Sequence, residues 1–154
     1  MSHGKYFPGK FFEDFEIGDE FETPRRTVTE ADIVTFAGLS GDFNPLHVDE
    51  EFAKQTRFGK RIAHGALTFA IMTGLWARLG IWEGTVEAFY GVDKLRFTKP
   101  VYAGDTLKVK IKVVDKQDKG EFGIVVLHNE VQNQRGEVVL VCDTKLLLKK
   151  KSSM

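Results

Sequence analysis

The sequence predicts an α+β fold in which an antiparallel curved sheet wraps around a long central helix. Three observations predict it. Residues 65–79 are apolar on nearly every face of a helix, through Leu67, Phe69, Ile71, Met72, Leu75, Trp76 and Leu79. Four alternating or β-branched runs follow, at 86–97, 105–115, 121–133 and 137–149. Lys119-Gly120 and Arg135-Gly136 separate the last three runs by short turns, and short connections require antiparallel pairing.

The remaining elements follow in order. Residues 20–28 read as a first strand introduced by the Gly18-Asp19 turn. Thr29 has the character of an N-cap, with Asp32 where a capping-box acid belongs, and Ile33, Phe36 and Ala37 fall at helical spacing, so 30–39 is a helix. Gly38 and Gly41 end it. Asp49 caps a short helix with Glu50 and Glu51 in its first turn, where the helix dipole favours acids. Residues 57–63 form a basic connection, and Gly80 stops the long helix. Thr98-Lys99-Pro100 and Ala103-Gly104-Asp105 make a longer turn before the third run. A helix apolar all round must be buried on all sides, and a sheet wrapped around it achieves this: the hot-dog arrangement. One curved sheet leaves strand edges and a face open, for which pairing with a second copy is the usual remedy, so a homodimer or higher homo-oligomer is expected.

Composition narrows the function. The chain has 154 residues, 42% hydrophobic and 29% charged, which suits one globular domain over 1–154 with its core at about 11–148. Net charge is zero and the isoelectric point about 6.9, so neither nucleic acid nor a membrane surface is an expected partner. The single Cys142 precludes an intramolecular disulfide and fits a reducing cytoplasm, and no secretory leader is read at the start. The thirteen Phe residues fit an aromatic core or an apolar ligand channel. The closing Lys149-Lys150-Lys151 run reads as a solvated tail.

Residues 38–47, Gly-Leu-Ser-Gly-Asp-Phe-Asn-Pro-Leu-His, carry the strongest chemical signal. Asp42 and His47 flank a stiff Asn44-Pro45 step. Proline fixes its own φ and pushes the residue before it into extended space, so the segment is read as a loop that cannot be helix. A carboxylate and an imidazole converging on one point make a minimal acid/base pair. Taken singly, an Asp before Asn-Pro is a turn former and a lone His is structural.

Three stretches together give a resemblance. Residues 36–47, with Ala53 following, resemble the signature of the MaoC-like (R)-specific enoyl-CoA hydratases, also called hydratase 2. Arg61-Ile62-Ala63-His64-Gly65 is similar to the start of that family's central helix, and Arg96-Phe97-Thr98-Lys99-Pro100-Val101 with Gly104-Asp105 is a third, less specific match. The resemblance implies reversible hydration of trans-2-enoyl thioesters to (R)-3-hydroxyacyl thioesters, with Asp42 and His47 holding the water. It implies the Gly65 backbone N–H as the oxyanion donor, and Asn44 and Thr73 as supporting residues. Lys60, Arg61, Arg96 and Lys99, with Arg57, are candidates to meet CoA. His64 is read as structural, ordering the start of the helix, and His3 and His128 as surface or structural. The Ser40 stretch lacks the last glycine of a nucleophile elbow and follows a helix. No His-Glu-x-x-His, Cys-x-x-Cys, phosphate loop or dinucleotide fingerprint occurs, so no metal and no redox cofactor are expected. The alternatives on the same fold are an acyl-CoA thioesterase and a non-catalytic acyl-thioester-binding module.

Overall fold

The computed structural model describes residues 8–153; His3 lies outside them. Among the described residues there are six strands: β1 (Glu20–Glu22), β2 (Arg26–Thr27), β3 (Val86–Phe97), β4 (Thr106–Asp118), β5 (Phe122–Gln132) and β6 (Val138–Lys149). Four α-helices accompany them: α1 (Glu30–Ser40), α2 (Pro45–Val48), α3 (Glu50–Lys54) and α4 (Gly65–Leu79). The sheet runs β1-β4-β5-β6-β3, all antiparallel, with β2 also on β4. Core side chains of α4 pack in one cluster with those of β4, β5 and β6, which is the hot-dog architecture.

The long helix has the predicted bounds, and Gly80 at φ 67° terminates it. One expectation fails. Leu67, Ile71, Met72, Leu75 and Trp76 are buried, but Ala66, Ala70, Gly74 and Ala77 face outward. A single curved sheet covers one side of a helix, and the small residues lie on the side left over. A polar tie fixes the buried side: Trp76 Nε1 donates to Asn129 Oδ1 at 3.0 Å. Asn129, fully buried, donates in turn to the Leu127 carbonyl and to Thr144 Oγ1 at 2.9 Å.

The first strand is broken rather than continuous over 20–28. Pro24 has no N–H to give the ladder. Thr23 takes over at the break: its N–H donates to the Val109 carbonyl and its Oγ1 accepts from the Val109 N–H. The pairing slips by one residue between Glu22↔Lys110 and Arg26↔Leu107. The lysine tail is not simply solvated either. Lys150 bonds Asp118, and Lys151 bonds Asp14 at 2.6 Å.

The capping box of α1 is realised, Thr29 Oγ1 accepting from Asp32 N–H and Asp32 Oδ2 from Thr29 N–H. Asp49 caps α3 through the Phe52 N–H. Edge strand β3 is the open flank of the sheet. Phe89, Tyr90, Val92, Leu95 and Phe97 on it are all exposed, and its register against β6 shifts at three places.

Replacing Asn129 by Leu strands the Trp76 N–H in the core and leaves the Thr144 hydroxyl only its bond to the Leu127 carbonyl. Urea unfolding is expected to show a loss of roughly 1–3 kcal/mol at unchanged m-value.

Candidate active site

The sequence places Asp42 and His47 around a proline, and the local physics departs from a plain loop. Pro45 is the first residue of the one-turn helix α2, and Asn44 is its N-cap, at φ −54° and ψ 133°. A first-turn N–H has no intrahelical partner, so proline gives up nothing there. The restriction proline imposes falls on Asn44, which lies outside the helix. The expectation that the segment cannot be helix is therefore corrected. The Asn44 Oδ1 accepts from Leu46 N–H at 3.1 Å and starts the turn that carries His47.

His47 is half-buried, and its Nδ1 lies 2.8 Å from the Ile62 carbonyl. A carbonyl only accepts, so Nδ1 carries the proton and the neutral ring presents Nε2 as an acceptor. Asp42 is exposed and leads out of the left-handed Gly41, φ 79°. Its Oδ1 accepts from Asn44 N–H at 3.2 Å. The ligand-type atoms of Asp42, His47 and His64 all lie within 4.8 Å of one another. The structure thus brings the predicted pair together and adds a third residue that the sequence reading treated as structural.

His64 is 2% exposed and immediately precedes α4. Its ring stacks on His47 with centroids 3.9 Å apart and planes inclined by 27°. Three such groups can bind a metal in principle, but the stack opposes it here. Imidazole lone pairs lie in the ring plane, and with centroids 3.9 Å apart and planes inclined by 27° the two planes meet well beyond the roughly 2.0–2.1 Å at which an ion sits from each nitrogen. Two nitrogens are also engaged, His47 Nδ1 with Ile62 O and His64 Nε2 with Asp42 O.

Gly65 opens α4, whose first N–H groups have no intrahelical partners, and His64 makes no side-chain cap across them. The lack of a Cβ at Gly65 allows a close approach: a Cβ there would stand 2.9 Å from Phe97 Cε1, and that ring would have to shift. A cleft of about 420 Å³ runs along this junction, lined by Arg57, Phe58, Gly65, Ala66, Phe97 and Lys99 among others. Asp42 and His47 do not line it; Ile62 does, and its carbonyl holds His47. A hollow of about 450 Å³ over β1, β4 and β5 contains none of the predicted site residues.

The other candidates separate. Thr73 spends its hydroxyl on the Ala70 carbonyl at 2.7 Å, so no contact ties it to the pair. Arg61 bridges Glu30 of α1 and Glu50 of α3, and hydrogen bonds to those two carboxylates push its guanidinium pKa further up. It is an internal brace. Lys60 sits over the Tyr102 ring at 4.6 Å, and Lys99 bonds Glu137 at 2.6 Å. That lysine, then Arg135 and Asn133, hold the Glu137 carboxyl down to about 2. Arg96 is exposed on β3 and does not line the cleft, although Phe97 beside it does. His128 pairs with Asp143 at 2.7 Å across β5 and β6, remote from the site.

Comparison with known proteins agrees with this fold. The family model described as the MaoC like domain matches residues 13–134. Protein MaoC of Klebsiella aerogenes is 45% identical over 102 residues, which is 66% of this chain but 30% of that longer protein. The (R)-specific enoyl-CoA hydratase of Rhodospirillum rubrum is 39% identical over 112 residues, 73% of this chain and 75% of that enzyme. The solved structure of the monoamine oxidase regulatory protein from Archaeoglobus fulgidus superposes with a TM-score of 0.87 at 44% identity, covering 94% of this chain and 97% of that one. No helix among the described residues is long and apolar enough to cross a membrane. With its hot-dog sheet, its central helix and the match over residues 13–134, the chain belongs to the MaoC-like dehydratase family.

Proposed function

We propose that this chain catalyses the reversible addition of water to trans-2-enoyl thioesters, giving (R)-3-hydroxyacyl thioesters. The observation that carries the reading is the convergence of the Asp42 carboxylate and the His47 ring beside the start of α4. The kinship with an enzyme named (R)-specific enoyl-CoA hydratase supports the direction and hand of the addition.

The chemistry uses each part. Water is a weak nucleophile and must lose a proton as its oxygen bonds the β-carbon. The π electrons of the C=C bond become a new C–H bond at the α-carbon, and the proton for it comes from the same pair of side chains. His47 Nε2, left free by the Nδ1–H bond to Ile62, and the Asp42 carboxylate hold the water between them. While the β-carbon is attacked, charge builds on the thioester oxygen. The Gly65 N–H, at the positive end of α4, is the donor for it. The reaction is redox-neutral and uses no cofactor beyond the carrier of the acyl group. That Arg57 and Lys99 line the cleft supports them as residues that meet the phosphates of a CoA carrier, Lys99 on release from Glu137. Cys142 as the sole cysteine suits a cytoplasmic setting.

The working form in this reading is a homodimer joined through β3. That strand ends the sheet, and Tyr90 and Phe97 on it are 62% and 51% exposed. An open edge with apolar side chains is a template for a second copy.

Two outcomes are expected. Following enoyl absorbance with crotonyl-CoA, Asp42→Asn and His47→Gln each lose roughly two to four orders of magnitude in kcat. Wild type without hydration of short, medium, branched and dicarboxylic enoyl thioesters, or either variant as active as wild type, overturns the reading. Val92→Lys is expected to convert the species seen by sedimentation from dimer to monomer, and an unchanged sedimentation coefficient contradicts the β3 interface.

A further inference from the structure

We propose that His64 is a positioning residue for this reaction, holding Asp42 and His47 in their mutual geometry. The proposal rests on the reading of Asp42 and His47 as the reacting pair.

The first observation concerns Asp42. His64 Nε2 lies 3.0 Å from the Asp42 carbonyl oxygen, so Nε2–H donates to it. Among the described residues, every other hydrogen bond made by Gly41–Asn44 spans four residues or fewer: Gly41 to Ala37, Asp42 to Ser40, Phe43 to Gly41, Asn44 to Asp42, Leu46 to Asn44 and His47 to Asn44. The bond from His64, 22 residues away, is the one that ties this exposed segment to the body of the protein.

The second observation concerns His47. The two imidazoles stack at 3.9 Å, and Phe36 closes against His64 edge-on at 5.0 Å. The stack limits the tilt of the His47 ring about its bond to Ile62. It also places a π face against the ring that gains positive charge when it accepts a proton.

The third observation is a cost. With Nε2 protonated, His64 Nδ1 is a lone-pair acceptor, and it is buried with no partner. An unpaired buried polar atom disfavours the fold. A phenylalanine or leucine would fill the same volume without it. The donor on the opposite side of the ring is what an apolar residue cannot supply, and that donor is aimed at Asp42.

The test compares steady-state hydration of crotonyl-CoA by the full chain as wild type, His64→Phe, His64→Gln, Asp42→Asn and the double variant His64→Phe/Asp42→Asn. His64→Phe keeps a ring against His47 but loses the donor, and kcat is expected to fall about a hundredfold. KM is expected to stay within about twofold. His64→Gln carries an amide N–H that reaches the same carbonyl, and is expected to recover about tenfold of that loss. In the Asp42→Asn background His64→Phe is expected to cost nothing further. Wild-type kcat in His64→Phe, a loss confined to KM, or an equal loss in both backgrounds overturns the proposal. Should His64→Phe show no thermal unfolding transition, His64→Gln decides: about a tenfold loss of kcat in wild type and a smaller one in Asp42→Asn, where only the stack on His47 is left to lose, an equal loss in both overturning the proposal.

Failure of the underlying reading is separable. If wild type hydrates no enoyl thioester, or Asp42→Asn matches it, the assignment of the reacting pair fails. The positioning geometry is then read from long-range proton–nitrogen correlation spectra of the histidines. His64 is expected to be protonated at Nε2 alone and His47 at Nδ1 alone, with the single His47 tautomer lost in His64→Gln. A His64 protonated at Nδ1, or a His47 spectrum indifferent to the substitution, contradicts the geometry.

Discussion

The strap from Arg61 to Gly65 is the constraint on which the rest of the site depends. Each of its five residues is tied to a different part of the protein. Arg61 bridges α1 and α3 through Glu30 and Glu50. The Ile62 carbonyl takes the His47 Nδ1–H, and the Ile62 N–H donates to Leu46. The Ala63 N–H donates to the Val101 carbonyl. His64 holds the Asp42 carbonyl, and Gly65 begins the helix around which the sheet is built. The short helices therefore do not fold onto the sheet independently; they hang on one extended segment whose end is set by α4.

Rigidity of α4 bears directly on the proposed reaction. Trp76, Asn129 and Thr144 lock its buried side to β5 and β6 by hydrogen bonds in a dry interior, where an unmade bond is costly. The start of the helix cannot drift without breaking these bonds or the Ala63–Val101 bond. A donor such as the Gly65 N–H is useful in catalysis only if it is aimed before the charge appears. The Phe97 ring packs against Gly65 where a Cβ would stand, so the two residues meet at the cleft wall.

Much of this was legible in the sequence wherever a residue's local chemistry settles the outcome. Thr29, Asp32 and Asp49 announce their helices because capping is satisfied within a few residues. Gly80 marks the end of α4, and Gly120 and Gly136 the tight turns, each at positive φ. What was not legible depends on partners distant in the chain. Pro24 breaks the first strand because β4 demands an N–H there. Pro45 opens a helical turn because Asn44 turns its side chain to the Leu46 N–H rather than to solvent. Lys150 and Lys151 are drawn to Asp118 and Asp14 across the fold. His64 looked like an ordinary residue at a helix start; its significance lies in a carbonyl 22 residues earlier and in a ring from another helix. Ala66, Ala70, Gly74 and Ala77 face outward although they are apolar, because they are small and the sheet lies on the other side, which hydropathy alone does not reveal.

The central claim is that one bound water and one thioester oxygen are held on opposite sides of the His64-Gly65 junction. A crystal structure of the Asp42→Asn variant with crotonyl-CoA tests it most directly. The account predicts the thioester oxygen about 2.7–3.1 Å from the Gly65 nitrogen, with the β-carbon facing a water shared by residue 42 and His47. A thioester bound in another hollow, or lying in the cleft with its carbonyl turned away from Gly65, would contradict it.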